Sequence, residues 1–215
     1  MKMKKGKTDE QVNPKDNELK WIIGMMIALV IIFVFFSQVF KSLNNFEYNG
    51  LEFKKEKIGE NLNVYHYIRN FEYSGRMYSY NLFLRNDPRK SNVPVEGAPF
   101  EFSSLNPVYI SVNAKKLIEC EQSSISIPLL AQFFTSNFVK VYAATPNIIE
   151  AQANDLTYAT CESAADGNVI IVSDGDETKV ERTADNCYHI TAANCEILPA
   201  TEKFIVQTII DASSR

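Results

Sequence analysis

The sequence lacks the short motifs that mark most hydrolases and nucleotide-binding enzymes. It contains no G-x-S-x-G elbow, no H-E-x-x-H pair, no P-loop and no G-x-G-x-x-G fingerprint. Histidine is scarce, because His66 and His189 are the only two, and each lies in an alternating, strand-like segment. Hydrolytic catalysis therefore has little support, and we expect no cofactor.

Two further absences concern cysteine and asparagine. No C-x-x-C pair places an attacking and a resolving thiol together, and no Asn-x-Ser/Thr sequon indicates N-glycosylation. The four cysteines are Cys120, Cys161, Cys187 and Cys195. An even number predicts two structural disulfides in a non-reducing compartment. Three connectivities are open, and we prefer Cys120 with Cys161 and Cys187 with Cys195.

A zinc site is the alternative use of the same residues. Cys187, His189 and Cys195 form C-x-H-x5-C, and Cys161 is available as a fourth ligand. The spacing matches no common zinc finger or ribbon, so we predict disulfides and no metal.

What the chain does have is a long apolar run from Trp21 to Phe40, flanked by Lys20 and Lys41. Twenty helical residues extend about 30 Å, the thickness of a bilayer's hydrocarbon core. A cleaved signal peptide would have a shorter run and a small-x-small cleavage site, which the FFSQVFKSLNN end lacks. We therefore predict an uncleaved transmembrane helix over residues 20–40.

The flanking charges predict the orientation of that helix. Lysines crowd the N-terminal tail at Lys2, Lys4, Lys5, Lys7, Lys15 and Lys20. Positive residues stay on the cytoplasmic side, which predicts a cytoplasmic tail at 1–19 and an extracellular domain at 41–215. That domain has 16 basic and 22 acidic residues, which argues against a nucleic-acid partner. We expect the bilayer and another envelope protein as partners, and the oligomeric state stays open.

The first part of the domain is rich in aromatic residues that alternate with polar ones. Segments 50–57, 63–73 and 77–85 predict three antiparallel strands, with a turn at Ser74-Gly75. A row of tyrosines also suits a carbohydrate site. Aromatic residues have high strand propensity and stabilise cross-strand pairs, so we favour a packing role.

After Pro107 the pattern alternates between strands and helices. Strands are predicted at 107–114, 138–145 and 156–161, helices at 123–137 and 145–154, a hairpin turning at Asp174-Gly175, a strand at 187–193 and a helix at 199–212. Strands alternating with helices indicate parallel pairing. The predicted fold class is α/β: one mixed parallel and antiparallel sheet with helices packed on it.

Arg85 and Arg89 lie in the most basic stretch of this acidic domain, RNDPRK. Arginine offers a bidentate fork to carboxylates and phosphates, so the pair is our candidate anion-binding site. The alternative is a solvated turn at the end of a strand, which the Asp-Pro pair indicates.

Several segments resemble an archaeal family of small, single-pass membrane-anchored proteins. The residues that carry the resemblance are YNLFLRNDPRK (80–90), PVEG (94–97), VKVYAAT (139–145), YATCE (158–162), NCYHI (186–190), and ANCEI with TEKFI (193–205). The resemblance implies an anchor followed by a four-cysteine extracytoplasmic domain, and it implies no activity.

These features together predict a membrane-anchored, extracytoplasmic, non-enzymatic module that serves the envelope or binds another protein. The alternative is a module that binds a small anion or a sugar through Arg85 and Arg89 or the tyrosine-rich sheet. An enzyme acting at the ends of the parallel strands, near Cys120 and Cys161, has the weakest support.

Overall fold

In the computed structural model, the described residues are 14–113, 117, 119–163 and 167–214. They divide into two compact units, residues 1–45 and residues 46–215. The first contains a long helix and the second contains sheets with helices, so the predicted α/β class is confirmed.

Helix α1, Pro14–Asn44, contains the whole apolar run and extends past it at both ends. Every side chain from Lys20 to Gln38 is exposed. A helix that is apolar on all sides suits the interior of a bilayer, where its backbone groups are satisfied internally. Among the described residues, it is the one helix long and apolar enough to cross a membrane.

The second unit opens with a four-stranded sheet. Its strands are β1 Asn45–Tyr48, β2 Leu51–Ile58, β3 Leu62–Tyr73 and β4 Arg76–Leu84, in that order. The antiparallel pairing of β2, β3 and β4 confirms the three predicted strands. The predicted turn is also confirmed, with Ser74 and Gly75 at φ of 51° and 75°.

A second, mixed sheet follows. Its strands are β5 Val95–Glu96, β6 Val108–Val112, β7 Val141–Thr145, β8 Thr157–Tyr158, β9 Asn168–Asp174, β10 Lys179–Ala184 and β11 Cys187–Ala192. Their order is β5-β10-β11-β9-β6-β7-β8. Within this order, the neighbouring strands β11-β9, β9-β6, β6-β7 and β7-β8 are parallel. β10 is antiparallel to β11.

Among the described residues of this second unit, the α-helices with defined bounds are α2 Ser123–Ser136, α3 Ile148–Asn154 and α4 Ile197–Ser213. Helix α2 connects β6 to β7 and α3 connects β7 to β8, as the strand–helix alternation predicts. The Asn147 Oδ1 atom caps α3 by accepting from the backbone N–H groups of Ile149 and Glu150, at 3.0 and 3.3 Å.

The two sheets enclose α2 and α4, which explains why α4 is buried on nearly every side. On one side, Phe204 of α4 lies in the same core as Ile170 and Ile190 of the mixed sheet. On the other side, Tyr80 of the four-stranded sheet contacts Phe133 of α2, with ring centroids 5.8 Å apart. The aromatic strands therefore form a sheet of their own, because the helices have a second apolar face to cover.

The face of the mixed sheet that lies away from α2 and α4 is covered by a smaller part of the chain. Residues alternate across a strand, so Tyr109, Val169 and Cys187 face away from the helices. The crossover segment, residues 159–163 after β8, lies over this face, where the Ser111 hydroxyl donates to the Ala159 carbonyl at 2.6 Å and Cys161 is bonded to Cys187.

The predicted hairpin at Asp174-Gly175 is wrong. Strands β9 and β10 exist, but β11 lies between them and pairs with both. The hairpin is instead formed by β10 and β11. β11 pairs in parallel with β9, and no turn motif in the sequence indicates such a non-local pairing.

Candidate functional site

A cavity of about 620 Å³ opens where the end of β4, the loop at 85–94 and α4 meet. Its lining includes the cations Arg85, Lys90 and Lys203, the carboxylates Asp87, Glu177, Glu196 and Glu202, and the rings of Tyr48 and Tyr65. The volume suits a small ligand. The wall combines charges of both signs with aromatic surface.

Glu202 forms the inner wall of the cavity and is only 4% exposed. One carboxylate oxygen accepts from the Arg85 backbone N–H at 2.6 Å. The other accepts from the backbone N–H and the side-chain amide of Asn86, at 3.1 and 2.8 Å. Burial raises the pKa of Glu202, although these hydrogen bonds act in the opposite direction. Glu202 therefore ties the end of β4 to α4.

The structure separates the two arginines of the candidate anion site. Arg85 lines the cavity. The Arg89 guanidinium forms a bidentate pair with Asp87, at 3.0 and 2.7 Å, and lies 3.7 Å from the centre of the Phe46 ring. Arg89 lowers the pKa of the Asp87 carboxyl group, chiefly through its side-chain hydrogen bond to that group. Arg89 thus stabilises the loop at 85–94 through its contacts with Asp87 and Phe46. Arg85 is the arginine available to a ligand.

Lys203 adds a further cation to the cavity wall, next to Glu202 on α4. Its Nζ atom donates to the Tyr48 hydroxyl at 3.2 Å, which fixes the tyrosine at the rim. On the loop, the Ser91 hydroxyl is buried and has no hydrogen-bond partner in the described structure. This oxygen is a buried polar atom behind the cavity wall whose hydrogen-bonding capacity is unused.

The aromatic row on the four-stranded sheet mainly packs against the core, as we favoured. Tyr80, Leu82 and Leu84 are buried, and Phe53 packs on Tyr67 with ring centroids 5.5 Å apart. Tyr48 and Tyr65 are the tyrosines of this sheet that also line the cavity.

All four cysteines form disulfides, as predicted, but the preferred pairing is wrong. Cys120 is bonded to Cys195 and Cys161 to Cys187, with Cα atoms 5.3 Å apart in each pair. Cys120 and Cys195 precede α2 and α4, which pack together, so this bond joins the starts of two neighbouring helices. Cys161 lies on the other face of the sheet, where it holds the crossover segment to β11.

The second disulfide has an imidazole beside it. His189 Nε2 lies 3.4 Å from Cys161 Sγ and 3.8 Å from Cys187 Sγ. Burial lowers the pKa of His189. The structure thus brings together three of the four residues of the zinc alternative, while Cys195 is bonded elsewhere.

Sequence reasoning missed Glu202 and Lys203, whereas Tyr48 belongs to the aromatic segment 46–85 of the tyrosine-rich sheet. A signal for Glu202 exists, because it falls on the apolar stripe that includes Leu198 and Ile205 of the closing helix. A carboxylate on the buried face of a helix requires hydrogen-bond donors from another element.

The chain matches no protein-family model, no curated protein and no solved structure. The resemblance to an archaeal membrane-anchored family therefore stays a prediction, and functional inference rests on the site itself.

Proposed function

We propose that this chain is a single-pass membrane protein whose residues 41–215 form a non-enzymatic binding module outside the cell. The exposed apolar helix and the lysines of the 1–19 tail support a cytoplasmic N-terminus. The two disulfides support an oxidising compartment for the domain.

The ligand we propose is a small sugar that carries a carboxylate. The observation behind this proposal is the cavity, which places Arg85 together with Tyr48 and Tyr65. An arginine fork suits a carboxylate, and an aromatic ring beside hydrogen-bonding groups suits a sugar ring. The Glu177 carboxylate supplies an acceptor for ligand hydroxyl groups.

D-glucuronate is expected to raise the thermal unfolding midpoint of the full chain in detergent, while neutral D-glucose has a much smaller effect. Arg85→Ser should weaken glucuronate binding about tenfold, because one charge-assisted contact is lost. The exposed Arg76, on the far end of β4, provides the matched control Arg76→Ser, which should bind like the wild type. Equal shifts with both sugars, or an Arg85→Ser variant that binds normally, would refute the carboxylate site.

Binding of another envelope protein is the second candidate. Ile149 on α3 is 75% exposed, and Ile148 on α3, Leu156 in the connection after it and Tyr158 on the edge strand β8 are also exposed. Exposed apolar clusters of this kind mark interaction surfaces. Cross-linking in native membranes tests this role: adducts through α3 and β8 support it, and adducts confined to other surfaces oppose it.

A further inference from the structure

Cys161, Cys187 and His189 form a cluster that the binding function leaves unused. Cys187 and His189 are two residues apart on β11 and therefore point to the same face. Cys161 comes from the crossover segment above them. The two sulfurs and the imidazole nitrogen all lie within 4.8 Å of one another.

The position of the cluster allows an ion to enter from solvent. It lies on the face of the mixed sheet that α2 and α4 do not cover. Cys187 is fully buried, whereas Cys161 and His189 are partly exposed. The β10–β11 register pairs His189 with Glu181, which places a carboxylate beside the imidazole on the same face.

The observed distances are close to those of a zinc site. Bonds of about 2.3 Å to sulfur and about 2.05 Å to nitrogen at a tetrahedral angle separate the two ligand atoms by about 3.6 Å. His189 Nε2 is 3.4 and 3.8 Å from the two sulfurs. Two zinc-bound sulfurs lie about 3.8 Å apart, so opening an ordinary disulfide requires a shift of about 1.7 Å. Cys161 lies outside the strands of the sheet, three residues after β8, so the shift on its side breaks no strand pairing.

We propose that reduction of the Cys161–Cys187 disulfide creates a metal site, in which both thiolates and His189 Nε2 bind one Zn²⁺ ion. A dithiol reductant supplies two electrons and two protons and becomes a disulfide itself. The S–S bond breaks and two thiols form. Both thiols release their protons to water when the ion binds, and a water molecule takes the fourth position. Cys120 and Cys195 supply no ligand to this site.

Cobalt(II) binding by the full chain in detergent tests this proposal. The chain is reduced with a phosphine, desalted under nitrogen and titrated with CoCl₂. We expect one ion per reduced chain, with thiolate-to-cobalt charge-transfer absorption that ZnCl₂ abolishes, and no such absorption in the oxidised chain. Loss of an outer-sphere partner already weakens metal sites by roughly 10- to 100-fold, so loss of the His189 ligand should cost about 100-fold or more.

Two controls make the test specific. The His189→Gln variant should lose affinity for cobalt(II). The His66→Gln variant should not, because His66 lies on the four-stranded sheet, where it is hydrogen-bonded to Glu56 and Asn81. In the reduced chain, ZnCl₂ should slow alkylation of Cys161 and Cys187 but not of Cys120 and Cys195. Equal alkylation of all four cysteines, including through unfolding of the reduced chain, overturns the proposal, as does unchanged affinity in His189→Gln.

Discussion

Replacing Cys120 and Cys195 together by alanine is expected to lower the free energy of unfolding of the domain by about 4 kcal/mol. The disulfide closes a loop of 75 residues, and the Cys161–Cys187 bond nested inside it shortens the effective loop. Closing a long loop restricts the unfolded chain, which is the main source of the stabilisation. In the folded chain, the same bond joins the starts of α2 and α4.

Urea unfolding of the oxidised full chain in detergent measures this effect. Trp21 is the only tryptophan and lies in α1, so near-ultraviolet circular dichroism of the tyrosines is the appropriate probe of the domain. The matched control is the Cys161→Ala and Cys187→Ala pair, which opens a loop of 26 residues and should cost about 3.5 kcal/mol. A loss below about 1 kcal/mol for the Cys120 and Cys195 pair would contradict a bracing role for that bond.

Glu202→Ala is expected to destabilise the domain by about 3 kcal/mol, because it removes the acceptor of three hydrogen bonds. The donors on Arg85 and Asn86 would be left at the cavity wall, where water replaces only part of the lost interaction. Glu60→Ala, at an exposed turn, is the matched control and should change the stability little. Equal stability of the Glu202→Ala and Glu60→Ala variants would show that Glu202 does not hold β4 to α4.

The pH dependence of stability gives a second measure of the same carboxyl. Because burial raises its folded-state pKa above the ordinary 4.5, the native state binds the proton more tightly than the unfolded state. This group's contribution to the free energy of unfolding is therefore greatest below pH 4.5 and decreases as the pH rises through the raised pKa. The unfolding free energy of the wild type minus that of Glu202→Gln should therefore fall as the pH rises from 4.5 through the raised pKa. A difference that grows with pH would contradict the burial argument.

Local patterns in the sequence predicted the elements of this fold well. Alternation and the Ser74-Gly75 turn identified the β3–β4 pair, and the strand–helix alternation after Pro107 identified the parallel strands β6, β7 and β8. Each of these features depends on residues close together in the chain. The place of β11 depends on a distant parallel partner, so the local Asp174-Gly175 signal was misleading.

The site was harder to predict because its parts are far apart in sequence. Tyr48, Arg85 and Glu202 meet only when the four-stranded sheet packs on α4. The disulfide pairing failed for a related reason. The sequence placed Cys120 and Cys161 at one sheet edge, but the chain after β8 crosses to the opposite face, and nothing in the local pattern indicates that crossing.

Chemical labelling of lysines on intact cells measures the proposed orientation of the chain in the membrane directly. Intact cells that carry the full chain can be treated with a membrane-impermeant, lysine-reactive reagent, and the labelled positions read by peptide mass spectrometry. Lys54, Lys55 and Lys57 are exposed on β2 and should be labelled, whereas Lys2, Lys4 and Lys5 should react only after the membrane is permeabilised. Labelling of the tail lysines in intact cells, with the β2 lysines protected, would contradict an extracytoplasmic, disulfide-braced domain.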